Sequence, residues 1–245
     1  MNKIILLISL LSLQLWGQTT IYENSVNYKI REPELQRGNI QFASEWLTPS
    51  TFYQHPLSFI DFDKQVLSQF SRSQVVLSME SFITSASFEE LSFEKLNQPS
   101  IIKLMFDSLS ISKKGDAFSV TNKVNAYGFP INLHYDVRLN QESKVSIPLT
   151  IKNWFKNKVK HLSLTSNSQI IVIETFNFSQ LMFKNTGIVF FQELANGDVL
   201  IMTTGLSTID INKANLFFPF GMAKNQMLSN VENQMIHMAQ KIQNF

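Results

Sequence analysis

The chain contains no cysteine in its 245 residues. That excludes disulfides, a thiolate nucleophile, Cys-ligated metal and acylation at an N-terminal Cys. Glycine is scarce, at eight. The eight are isolated, so there is neither a G-x-G-x-x-G fingerprint nor a phosphate-cradling loop. The G-x-S-x-G elbow of many esterases is also missing. Charge is sparse: 16% of residues are Asp, Glu, Lys or Arg, with a formal net charge of +2. This is too small a surplus for a nucleic-acid footprint. The four histidines, His55, His134, His161 and His237, are scattered, and none pairs at metal-ligand spacing. No metal and no cofactor is therefore expected, and no catalytic residue can be named. After the N-terminus no apolar run approaches the ~20 residues of a membrane-spanning helix, and no repeat or low-complexity linker interrupts the chain.

Apolar residues are plentiful, at 44%, and include 21 Phe against 5 Tyr. The length suits one large domain, or a domain with an extension. A Phe-rich interior is first of all a core, and more rarely a lined cavity. Residues 1–17 resemble a secretory signal. Lys3 is the basic start, Ile4 to Trp16 the apolar centre, and Gly17 a small residue where cleavage could follow. The expectation is export, to a periplasm or extracellular space, of a mature chain without a transmembrane span. A cysteine-free exported protein of this size fits a bacterial periplasm better than a eukaryotic exterior.

Residues 18–72 read as a partly helical N-terminal extension. Glu34 to Leu47 predicts a short helix, and Leu57 to Arg72 a better one, with Phe59, Phe62, Val66, Leu67 and Phe70 on one face. From residue 73 to 245 the pattern predicts an α+β domain. Val75, Leu77, Met79 and Ile83 alternate as a strand. Ser87 to Leu96 and Pro99 to Leu109 predict two short helices, the second with proline in its first turn. Lys114-Gly115-Asp116 predicts a turn. The period then stays at two. Ile131, Leu133, Tyr135, Val137 and Leu139 alternate with polar neighbours, and Gln169 to Phe176 is β-branched and apolar. Weaker strands are expected at Lys144–Leu149 and Val159–Thr165. Asn196-Gly197 joins Gly187–Leu194 to Asp198–Leu206 and fits a type I′ hairpin turn. The chain closes on a helix from Gly221 to Phe245, whose stripe of Leu228, Val231, Met235, Met238, Ile242 and Phe245 must be buried against something. The preceding strands make that something a sheet.

The order strand, two short helices, a meander of strands and one long C-terminal helix resembles the helix-grip arrangement of the START-like superfamily, which includes polyketide cyclases and lipid-transfer domains. The Val75–Ile83 strand, the Ser87–Leu109 helices, the Asn196-Gly197 hairpin and the C-terminal helix carry this resemblance. It implies an antiparallel curved sheet gripping that helix, with an apolar cavity between them for a sterol, lipid or polyketide. A lipocalin-like barrel is the competing architecture and implies a similar ligand.

Five residues are candidates for ligand binding. His134, Asp136 and Arg138 share one face of the cleanest strand. Turned inward they would be polar handles or acid–base groups, and turned outward simply the solvent face. Met235 and Met238, in a Met-rich helix, suit a cavity wall that adapts to its ligand, or an ordinary core. Glu174, inside an apolar strand, is either buried or at the surface. The reading is an exported, non-enzymatic protein that binds a hydrophobic small molecule or lipid. A cell-envelope interaction protein with a packed interior is the alternative, and an enzyme using polar groups on the Ile131–Leu139 strand is a third.

Overall fold

Period-two patterning from residue 73 onward becomes a single antiparallel sheet in the computed structural model, which describes residues 19–21, 40–47, 73–106, 108–126, 129–142, 160–179, 182–210, 233 and 235–243. The elements are β1 (Thr19–Ile21), β2 (Ile40–Leu47), β3 (Ser73–Thr84), α1 (Phe93–Leu96), α2 (Pro99–Met105), β4 (Ser110–Lys114), β5 (Ala117–Ala126), β6 (Phe129–Glu142), β7 (Leu164–Phe176), β8 (Met182–Leu194) and β9 (Val199–Asp210). Helix α3 covers 235–243. The strand order is β1-β2-β3-β9-β8-β7-β6-β5-β4. Among the described strands only β1 and β2 run parallel. From β4 to β9 each strand hairpins onto the next. β3 instead pairs with the last strand, from Ser73↔Asp210 to Thr84↔Val199. The α1–α2 segment therefore carries the chain between the two borders of the seven strands β3–β9.

Side chains alternate across a strand, and this sheet keeps its larger apolar groups on the face toward α3. Phe82, Leu139, Ile171, Phe191 and Ile201 meet Ile236, Ala239 and Ile242 of α3 and Leu96 and Ile102 of the short helices. Two long-range hydrogen bonds fix α3. Thr84 Oγ1 donates to the Ile242 carbonyl at 3.1 Å, and Lys241 Nζ donates to the Leu104 carbonyl at 2.9 Å. β3 and β9 are buried on both faces, as strands in the middle of a large sheet can be.

Several expectations are corrected. The stretch Ile40–Leu47, expected to be helical, is strand β2, antiparallel to β3 from Ile40↔Phe82 to Leu47↔Val75. Its apolar residues fit either period, and the free border of β3 decided between them. The expected Leu57–Arg72 helix and Lys144–Leu149 strand, and the expected C-terminal helix before residue 233, lie outside the described residues. Of Ser87–Leu96 only Phe93–Leu96 is helical. Ser92 is extended, at φ −61° and ψ 153°, so α1 starts after it. Ahead of it, Ser87 and Glu90 form a capping box. The Ser87 N–H donates to Glu90 Oε2 at 2.8 Å and the Glu90 N–H donates to Ser87 Oγ at 3.2 Å. Bonds from the Ser87 backbone and side chain hold the Glu90 carboxyl below its ordinary range. In the described part of the expected Val159–Thr165 strand only Leu164 and Thr165 are strand, while 160–163 turn; those two join Gln169–Phe176 in β7, with a register shift between Leu164 and Ser168 that marks a bulge. The β8–β9 hairpin is present, but its turn is not type I′. Gly197 alone has positive φ, at 87°, and the Leu194 N–H bonds the Asp198 carbonyl. This is a three-residue loop closed by a left-handed glycine.

Candidate functional site

Odd-numbered residues of β8 and β9 point toward α3, and in mid-strand both reach a glycine. Gly187 and Gly205 are direct cross-strand partners. Neither offers a side chain, so the sheet is bare where its neighbours are filled. Above this bare floor lies a cavity of about 370 Å³. Its walls are Ile173 and Thr175 of β7, Tyr135 of β6, Asn122 of β5 and Ser78 of β3, with Met105 and Phe106 at the end of α2 and Met235 and Met238 of α3. Its volume falls in the range of small-molecule sites, about 300–1,000 Å³. Gly205 is the more constrained glycine, because a Cβ there would stand 3.2 Å from Ser78 Oγ. At Gly187 a Cβ would meet nothing nearer than the Thr204 carbonyl at 3.8 Å.

The lining is mixed. Tyr135 stacks on Phe178, with ring centroids 4.9 Å apart and planes at 25°, and meets the edge of Phe106 at 6.2 Å. That aromatic group holds one wall rigid. Among the polar lining groups, Thr175 Oγ1 and Asn122 Oδ1 are buried with no hydrogen-bond partner among the described residues, while Asn122 Nδ2 donates to the Phe106 carbonyl. Beside the main cavity a second, separate void of about 20 Å³ lies between the sheet and α3, sharing Met105, Ile173, Val189, Thr203 and Met238 as walls. Glu80 of β3 lines this inner void. Its side chain is 1% exposed, and burial pushes its carboxyl well above the ordinary range.

The five sequence candidates divide. Met235 and Met238 line the cavity. His134, Asp136 and Arg138 lie on the opposite face of β6 from Tyr135, so the strand's pleat turns them away from it. They belong to a polar network on the outside of the sheet. Arg138 Nε is 2.8 Å from Asp116 Oδ2, its Nη1 is 3.6 Å from Glu174, and its guanidinium lies 5.1 Å over the Phe176 ring. Glu174 also pairs with Lys184 at 2.9 Å, which places it on the outer face. Burial raises the Asp136 carboxyl, but bonds from Asn177, Ser119 and Lys114 outweigh burial and hold it below its ordinary range. His134 Nδ1 is 2.9 Å from Thr121 Oγ1 instead of bonding Asp136. Arg138→Ala is expected to leave the affinity of the cavity for a hydrophobic probe within about twofold, and to lower stability by about 1 kcal/mol or less, as for other partly exposed ion pairs. A probe titration beside a urea melt checks both. A tenfold loss of affinity would instead put the ligand on the outer face.

Glu80, Ser78, Thr175 and the two glycines escaped the sequence reading. On β3 the apolar set Val75, Leu77, Met79 and Ile83 suggested one inward face, yet Ser78, Glu80 and Phe82 are the residues that line the cavities. Met79 and Ile83 are buried on the reverse side. The available signal was isolated glycine within two strand patterns, which marks a close approach or an opening.

Fold and site define a sheet-and-helix protein with a pocket of mixed polar and apolar lining under its C-terminal helix. No protein-family model matches the chain, and no curated protein does. Among solved structures, a conserved protein from Geobacillus kaustophilus aligns at 13% identity, covering 67% of this chain and 90% of its own, with a TM-score of 0.42. The di-domain ARO/CYC BexL from the BE-7585A biosynthetic pathway aligns at 11%, covering 80% and 57%, with 0.43. A START superfamily protein from Mycobacterium smegmatis aligns at 11%, covering 69% and 94%, with 0.39. The resemblance drawn from element order thus meets a START superfamily protein among these neighbours. At these TM-scores the likeness carries no functional argument, and the arrangement itself rests on the strand order β3-β9-β8-β7-β6-β5-β4 with α3 packed on the sheet. Among the described residues no helix is long and apolar enough to cross a membrane, and no group of three or more His, Asp or Glu converges as a metal site.

Proposed function

We propose that the protein is an exported, non-enzymatic binding protein that holds a hydrophobic small molecule or lipid between its sheet and C-terminal helix. The observation that carries this reading is the 370 Å³ cavity over the Gly187–Gly205 floor. A packed interior would have placed side chains there. Two flexible methionines on the helical wall suit a ligand of variable shape. The signal-like residues 1–17 support export, to a periplasm or beyond. A hydrophobic cargo needs such a shelter wherever it must pass through water.

Native mass spectrometry of the chain, purified without detergent and then extracted with organic solvent, is the test. The expected result is an adduct that disappears on extraction and matches an apolar molecule. A bare mass, together with no binding of a hydrophobic fluorescent probe, would point to a packed interaction protein.

A further inference from the structure

Glu80 is out of place for an ordinary core residue. It sits in mid-β3, opposite Thr203 of β9, on the face toward α3. It is buried to 1% exposure, and its Oε1 has no hydrogen-bond partner among the described residues. The void that it lines is otherwise walled by groups such as Phe82, Leu139, Ile171, Phe191 and Ile242, with no Lys, Arg or His among them. Orphaned polar atoms in native interiors are rare and usually have a function or an unseen partner. An ionised carboxylate without a cation is too costly in such a place, so the group keeps its proton. A protonated carboxyl has one O–H to donate. The void of about 20 Å³ adjoins the main cavity, with Met105, Ile173, Val189, Thr203 and Met238 as the wall between them, and has room for a terminal group of about the size of a water molecule.

The geometry points to Glu80 as the recognition group for the buried end of the ligand: a hydrogen-bond donor, set in the small void that adjoins the cavity behind Met105, Thr203 and Met238, for an uncharged molecule that leads with a carbonyl or hydroxyl oxygen. This rests on the cavity reading above and narrows it. An anionic head group finds no cation in the inner void. A ligand amine would require a buried ion pair, whose desolvation offsets much of its attraction. A neutral oxygen acceptor completes Glu80 at no such cost. The apolar body of the ligand then fills the space over Gly187 and Gly205, against Met235 and Met238.

Three rigid probes of similar shape test the assignment: fluorene, its ketone 9-fluorenone, and 9-aminofluorene. Each is titrated against the wild-type protein and the Glu80→Gln and Glu80→Leu variants. The wild type is expected to bind fluorenone about tenfold more tightly than fluorene, the increment of one well-made hydrogen bond in a dry site. Glu80→Leu should remove that preference, so that ketone and hydrocarbon bind alike. Glu80→Gln, whose amide still donates, should keep most of it. The carbonyl stretch of bound fluorenone, measured on the wild type alone, should shift to lower frequency than in hydrocarbon solvent, and this readout needs no variant to fold. Equal wild-type affinities for ketone and hydrocarbon, or a ketone preference that survives in Glu80→Leu, would overturn the role of Glu80 and leave the cavity reading standing. Preference for the amine would overturn the neutral-acceptor assignment. Binding of none of the three would overturn the cavity reading itself.

Discussion

Replacing Gly187 by Phe is expected to fill part of the cavity and weaken binding by roughly seventyfold without harming the fold. An added Cβ at Gly187 meets only ordinary van der Waals neighbours, the Thr204 carbonyl at 3.8 Å and the Ile173 carbonyl at 4.0 Å. The ring would project into the space of about 370 Å³. Displacing a ligand from about 100 Å² of apolar wall costs about 2.5 kcal/mol, which is roughly seventyfold in affinity. Stability should hold or rise, because glycine weakens a strand interior while an aromatic residue suits it. The neighbouring glycine is the control. Gly205→Phe would drive its Cβ to within 3.2 Å of Ser78 Oγ, against strands buried on both faces, and should destabilise the protein. Fluorescent-probe titration and thermal melting of both variants distinguish the cases. A Gly187→Phe protein that is stable and still binds at the wild-type level would mean that the ligand lies elsewhere.

Replacing Glu80 by Met is expected to raise stability more at pH 8 than at pH 4. The unfolded chain releases the Glu80 proton near the ordinary value of 4.5, whereas burial raises the folded value well above it. Between those two values the native state binds more protons than the unfolded state, so this group makes stability fall as pH rises. The stabilising contribution is complete below the unfolded value and is lost as pH climbs through the folded one. Methionine has a similar length and no proton to hold. It also removes an unpaired buried polar group, a relief of about 1–3 kcal/mol. For a chain of this size each kcal/mol moves the midpoint by about 2–4 °C. Glu80→Gln separates the two effects, since it abolishes the titration but remains polar. Asp136, held below its ordinary range by Asn177, Ser119 and Lys114, contributes in the opposite sense, with stability that is lost as pH falls. For that reason the diagnostic quantity is the difference between variant and wild type across pH. Parallel curves for Glu80→Met and wild type would show that Glu80 does not titrate differently in the folded protein.

Much of the architecture was legible before the structure. Residues 131–139 alternate without a break, and they form the middle of β6, with Leu133, Tyr135, Val137 and Leu139 buried. Isolated Asn196-Gly197 between two β-rich runs did mark a hairpin. The type of turn was misjudged, because dipeptide chemistry favours but does not impose positive φ at Asn196. Ile40–Leu47 was misread because eight residues with mixed spacing satisfy both periods, and the choice fell to the hydrogen-bonding border of β3. β7 was split in two because the polar residues Ser166, Asn167 and Ser168 look like a loop, whereas β7 passes through them by shifting register.

The site was less legible for a physical reason. Alternation tells which residues share a strand face, but not which face meets α3. On β6 the apolar set is the inner one, so His134, Asp136 and Arg138 went outward. On β3, buried on both sides, the apolar set is no guide, and the serine and glutamate between apolar neighbours are what line the cavity. What the sequence by itself determined is the α+β class, the helix at the chain end and the absence of cysteine chemistry, because these depend only on residue type and local period; the fully buried stripe of that helix is Ile236, Ala239 and Ile242, with Met235 and Met238 half-buried beside it. The tertiary structure alone decided that Gly187 and Gly205 stand opposite one another, that Glu80 lines a small void adjoining the space they leave, and that the strand-6 charges face away. Those are matters of register between strands distant in the chain, and register is fixed by the packing of the whole sheet against α3.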